Sequence, residues 1–245
     1  MIEVTILAAI IIAIAFFGES IFGFGGGLIA IPLLSLLIGV KDAVTLVLIF
    51  QLLMGLLIWK SYKQIDWKSA RPMTISIIIG TVIGTLLLSQ ANFVSLKLFL
   101  ATSILIFLVK MIWFNGFTLG NKSNTTAATV AGVGGGLFQG LIGTGGPVLT
   151  MYLSVAIKQK LSLRATLIYL FFATSIVRLG ISFPNHLFTD RILHLALVAL
   201  PLFMMAIFLG QRMHQKISEE YYRLGIYIVM GGSAILLLIK ALSQP

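Results

Sequence analysis
Apolar residues along the chain fall into eight long runs separated by short charged or turn-forming stretches: 4–40, 43–59, 72–89, 96–114, 125–157, 164–183, 192–210 and 221–242. A membrane-crossing helix needs ~20 mainly apolar residues, so most of these runs predict one crossing each. The first and fifth runs are too long for that. Each is interrupted by a glycine cluster, Gly23-Phe24-Gly25-Gly26-Gly27 and Gly143-Thr144-Gly145-Gly146-Pro147, and glycine and proline break helices. Each long run is therefore predicted as two helices, the second starting near Leu28 or Val148.

Composition agrees with the pattern. Of 245 residues, 59% are hydrophobic and 10% charged, against ~25% charged in an ordinary soluble domain. The chain begins Met1-Ile2-Glu3-Val4, without the basic region and small-residue cleavage site of a secretory signal, so the first run is expected to be structure. The excess of 17 Lys and Arg over 7 Asp and Glu gives +10. In a polytopic membrane protein that excess marks cytoplasmic loops and anionic lipid rather than nucleic acid. With no cysteine, disulfides, thiolate metal sites and thiol nucleophiles are excluded.

Loop charge decides how the broken runs cross. If each crossed once, Lys and Arg outside the apolar interiors would divide eight against eight. If each folds back as a hairpin, one side collects Lys60, Lys63, Lys68, Arg71, Lys110, Lys122, Lys158, Lys160, Arg164, Arg212, Lys216 and Arg223, and the other keeps Lys41, Lys97, Arg191 and Lys240. Twelve against four favours hairpins, with residues 60–71, 111–126, 158–164 and 211–223 cytoplasmic and both termini outside. Trp59, Tyr62, Trp67 and Trp113 near span ends suit the interfacial aromatic belt.

The halves also resemble each other. The two glycine clusters align at an offset of 120, which sets Glu19 opposite Gln139; Gly84 with Lys97-Leu98 aligns with Gly210 and Arg223-Leu224 at an offset of 126. Each half then holds one hairpin and three crossings, an odd number, so the repeats are inverted, the plan on which many secondary transporters build alternating access. The expected organisation is an all-α polytopic membrane protein: a first repeat over 1–115, a cytoplasmic linker over 116–126 and a second repeat over 127–245.

A helix break inside a bilayer leaves backbone groups that lipid cannot satisfy, so it lines protein or a water-filled cavity. The helix that restarts after each break presents free N–H groups and the positive end of its dipole, an arrangement suited to an anion. The candidate binding residues are Ser20, Gly23, Phe24, Gly25, Gly26, Gly27, Gln139, Gly143, Thr144, Gly145, Gly146 and Pro147, with Gln51 as a further donor. Gly80, Gly84, Gly132, Gly136 and Gly140 instead suit close helix packing.

Intramembrane charges are expensive, and two stand out within the runs, Glu19 and Arg178. Glu19 reads as a proton-coupling carboxylate beside the anion, as a paired structural charge, or as an interfacial residue if the hairpin is deep. Arg178 reads as an anion ligand, as the partner of Glu19, or as an arginine snorkelling to the outer interface, the last being favoured. His186, His194 and His214 show no metal spacing and read as incidental. Neither a metal nor a cofactor is expected.

The phrases Gly23-Phe-Gly-Gly-Gly-Leu-Ile-Ala-Ile-Pro32 and Gly143-Thr-Gly-Gly-Pro-Val-Leu-Thr150, with the 4+4 pattern of runs, resemble the sulfite exporter family of the TauE/SafE type over essentially the whole chain. The resemblance implies a multi-pass transporter in a bacterial or archaeal inner membrane, carrying a small sulfur-containing anion such as sulfite or an organosulfonate. Protons are the candidate coupling ion and membrane lipid the surrounding partner; oligomeric state stays open. An anion channel and a scaffold without transport are the competing readings. An intramembrane enzyme lacks any nucleophile–base pair or metal cluster.

Overall fold
The computed structural model describes residues 2–90, 125–184, 187–218, 220–222, 224, 225 and 228. The run 96–114, the repeat boundary and linker expected near 115–126, most of the run 221–242, and His186 lie outside the described residues.

The described residues form eight α-helices: α1 (Ile2–Phe22), α2 (Gly26–Ile38), α3 (Val40–Leu57), α4 (Trp67–Gln90), α5 (Thr125–Ile142), α6 (Gly146–Ala156), α7 (Lys160–Ser182) and α8 (Asp190–Lys216). A 3-10 turn over Trp59–Gln64 joins α3 to α4. Both long runs are split at their glycine clusters, and each second helix begins two residues earlier than Leu28 and Val148.

Five helices are long and apolar enough to cross a membrane, namely α1, α3, α4, α7 and α8. At 1.5 Å per residue, α2 and α6 rise only ~20 and ~16 Å, short of the ~30 Å hydrocarbon core. Large apolar side chains such as Ile14, Ile75, Leu197 and Phe208 face outward, a surface that lipid chains cover and water would not. The molecule is a multi-pass membrane protein.

Glycine decides the closest helix contacts. A Cβ on Gly80 or Gly84 of α4 would run into the Val133 or Leu137 carbonyl of α5, and one on Gly136 or Gly140 into that of Ile77 or Thr81. Small residues allow such backbone contact where no hydrophobic force draws helices together. In the same way α1 lies along α8, where a Cβ on Gly210 would sit 2.7 Å from Ser20 Cβ. Above this contact Phe16, Phe50 and Phe203 of α1, α3 and α8 stack with ring centroids 4.8–5.9 Å apart.

The ends of the helices sort into two groups. Lys63–Asp66 and Ala156–Ser162 border one open hollow, and Lys160 Nζ donates to the Ile217 carbonyl after α8. Asp42 and Arg191, at the opposite ends of α3 and α8, form an ion pair at 3.8 Å. Tyr62 anchors the 3-10 turn by donating to the Gly55 carbonyl at 2.8 Å. Burial, and then the neighbouring Tyr169, push its phenol up to about 12, so that donor keeps its proton across the physiological range.

Candidate functional site
The two breaks share one hydrogen-bond skeleton. The first helix of each ends with a bond from Gly23 N to Glu19 O (2.7 Å) or from Gly143 N to Gln139 O (2.9 Å); the second starts with Ile29 N to Gly25 O (3.0 Å) or Leu149 N to Gly145 O (3.3 Å). Every one of these positions differs from its counterpart by 120. Positive φ angles at Gly25 (109°) and Gly143 (67°) turn the chain at each break, a conformation in which a Cβ is strained.

The side chains at the matched positions turn back toward the restarting helices. Gln139 Oε1 accepts from Gly145 N at 2.9 Å, capping the start of α6. The Glu19 carboxyl lies against Gly26 at the start of α2, where a Cβ would overlap Oε2, and Oε2 has no hydrogen-bond partner.

The breaks abut. A Cβ on Gly27 would overlap the Gly143 carbonyl, and one on Gly146 would sit 3.1 Å from Phe24. Between them lies a small cavity lined by Glu19, Gly25, Gly27, Leu28, Gln51, Gln139, Gly143, Thr144, Gly146 and Phe171, with room for about one water molecule. Gln51 of α3 spans it, since its Oε1 accepts from Gln139 Nε2 at 3.1 Å and from Arg178 Nη1 at 3.2 Å. Its Nε2 points toward the Gly143 carbonyl at 3.5 Å. The Thr144 hydroxyl is buried without a partner.

The fold thus gathers most of the residues singled out from the sequence. Gly26 lies against the Glu19 carboxyl, Gly145 N donates to Gln139, and Pro147 sits in the first turn of α6, where its missing N–H costs nothing. Two fall elsewhere. Ser20 Oγ donates to the Ile207 carbonyl at 3.0 Å, toward α8, and Gly23 packs on the Arg164 backbone.

Arg178 does not snorkel, because it is 2% exposed and bonded to Gln51. Its guanidinium bonds Gln51 rather than Glu19. Leu28 and Phe171 were not predicted in the lining, because apolar residues inside apolar runs carry no distinguishing mark.

Arg164 is a second departure from the sequence reading. Instead of serving as a loop charge it is 5% exposed, and its Nε donates to Ser20 O at 2.7 Å, at the negative end of α1. His214, in the last turn of α8, is buried edge-on to Tyr222 with centroids 5.6 Å apart, and Tyr222 Oη donates to Phe22 O at 2.7 Å. Side chains from the second half of the chain thereby close the end of α1 next to the first break.

The family model of the sulfite exporter TauE/SafE matches residues 7–237. The chain belongs to the sulfite exporter TauE/SafE family. It is also similar to the "Probable sulfite/organosulfonate exporter TauE" of Cupriavidus necator, at 28% identity over 189 residues, covering 73% of this chain and 72% of that one. No solved structure matches the chain significantly. Membership of a transporter family argues for transport rather than catalysis.

Proposed function
We propose that the protein is a secondary transporter that exports sulfite or a small organosulfonate anion by alternating access around the cavity between the two glycine breaks. The observation that carries this reading is the meeting of two helix N-termini, α2 and α6, on one buried cavity with amide donors from Gln51 and Gln139. Each dipole end contributes ~0.3–2 kcal/mol toward a bound anion, enough with the amides for reversible binding.

Two inverted repeats, 1–115 and 127–245, supply the moving parts. The shared skeleton at an offset of 120 supports them. So does a reciprocal contact: Gly84 of α4 meets Gly140 of α5, while Gly210 of α8 meets Ser20 of α1, the position matching Gly140. The small cavity favours a transporter over a fixed open pore, because an oxyanion larger than water enters only if the breaks part.

Glu19 is the carboxylate placed to couple a proton, since it lines the same cavity with an oxygen that nothing bonds. In proteoliposomes, influx of sulfite and sulfoacetate is expected to saturate and to exceed that of thiosulfate, sulfate and chloride. An imposed pH gradient should accelerate it. Glu19→Gln should retain binding and lose the gradient dependence. Flux that never saturates would replace the transporter with a channel, and unchanged gradient dependence would remove Glu19 from coupling.

A further inference from the structure
Three hydrogen bonds around the cavity form a chain whose direction is fixed at both ends, and a fourth branches from it at Gln51. At one end stands Arg178, whose guanidinium only donates; at the other stands the Gly145 backbone N–H, which also only donates. A terminal amide can be turned either way in a site, and its neighbours decide which way. Here Arg178 Nη1 at 3.2 Å requires an oxygen from Gln51, and Gly145 N at 2.9 Å requires an oxygen from Gln139. The link between the two amides, Gln139 Nε2 to Gln51 Oε1 at 3.1 Å, is the only arrangement compatible with both ends.

The orientation leaves donors over. Gln51 Nε2 is held only loosely, by the Gly143 carbonyl at 3.5 Å, and Gln139 Nε2 keeps one hydrogen beyond its bond to Gln51. Both side chains line the cavity, whereas Arg178 does not.

We infer that Arg178 is a positioning residue: it acts through Gln51 to turn the two glutamine amides N–H-first into the cavity, making that wall specific for the bare oxygens of a sulfite or sulfonate group. This rests on the transport reading above. It assigns the guanidinium a role different from direct ligation of the anion, and it links α3, α5, α7 and the second break, so their positions are coupled wherever the anion sits.

The tests use the full chain with sulfite and methanesulfonate as probes. They measure uptake into proteoliposomes and the anion-dependent rise in melting temperature of the purified protein. Arg178→Gln removes the fixed donor and frees the Gln51 amide to flip; KM is expected to rise at least tenfold with a smaller change in maximal rate. Arg178→Lys, again donor-only, should recover most of the affinity. Gln51→Glu keeps and strengthens the partner of Arg178 but has no N–H to offer; it should fold and lose the anion-dependent melting shift.

Equal KM for Arg178→Gln and Arg178→Lys, or a normal melting shift in Gln51→Glu, would overturn the inference. Wild-type binding without flux would overturn the transport reading while these variants still test the relay through binding. Absence of binding in the wild type would overturn both.

Discussion
At the residue scale, the abutment of the two breaks rests on the absence of side-chain atoms. Gly27 is the sharpest case, because the Cβ of an alanine would overlap the Gly143 carbonyl oxygen, which belongs to backbone and cannot swing aside. Gly27→Ala is expected to cost about 1–3 kcal/mol by overpacking and to lower uptake at least tenfold by forcing the breaks apart. Gly18 is the control. It lies in α1 one residue before Glu19, nothing lies within 4 Å of an added Cβ, and helix propensity favours alanine by up to ~1 kcal/mol. Gly18→Ala should therefore leave uptake unchanged and melting equal or slightly higher. A Gly27→Ala protein with wild-type uptake would mean that the breaks do not need their close contact.

At the scale of elements, α1 depends on what closes its C-terminal end. Two of its last carbonyls, those of Ser20 and Phe22, receive hydrogen bonds from Arg164 and Tyr222 across large sequence separations. A charge-assisted hydrogen bond contributes roughly 1.5–3 kcal/mol. Arg164→Met, which keeps the apolar stem and removes the donor, should lower the melting temperature by several degrees, and Arg164→Lys should restore part of the loss. Equal melting of all three proteins would show that Ser20 O has no need of the guanidinium.

Two arginines, Arg164 and Arg178, mark the limit of what the sequence discloses. The breaks at 23–25 and 143–145 were legible because glycine and proline act on their own backbone, whatever surrounds them. The matched positions Glu19 and Gln139 were legible through the offset of 120. Arg164 and Arg178 were not, because an arginine within reach of the end of an apolar run has the same sequence signature whether it snorkels outward or turns inward. Only the partners Ser20 O and Gln51, 144 and 127 residues away, separate the two outcomes. Ser20, next to Glu19 on α1, shows a related limit: helical geometry turns adjacent residues by about 100° onto different faces, and its hydroxyl goes to α8.

For the whole molecule, loop charge and packing bear on topology independently. Lysines and arginines divide twelve against four only if both broken runs fold back. The structure brings Lys63 and Lys158 to the border of one hollow and joins Asp42 to Arg191 at the other ends of α3 and α8. These pairings match the charge grouping although they follow from helix packing alone. On the positive-inside rule the Lys63 and Lys158 end is the one expected to be cytoplasmic. Because the chain contains no cysteine, single replacements report without background. Lys63→Cys and Lys158→Cys should react with a membrane-impermeant maleimide only after the membrane is opened, and Lys41→Cys and Arg191→Cys should react on intact cells. The last variant removes an exposed ion pair worth at most ~1 kcal/mol and should fold normally. Labelling of Lys63→Cys and Arg191→Cys from the same side would require a broken run to cross the membrane completely. That run could only be the second, and the proposed match of the two repeats would fall with it, because the second half would hold four crossings against three in the first.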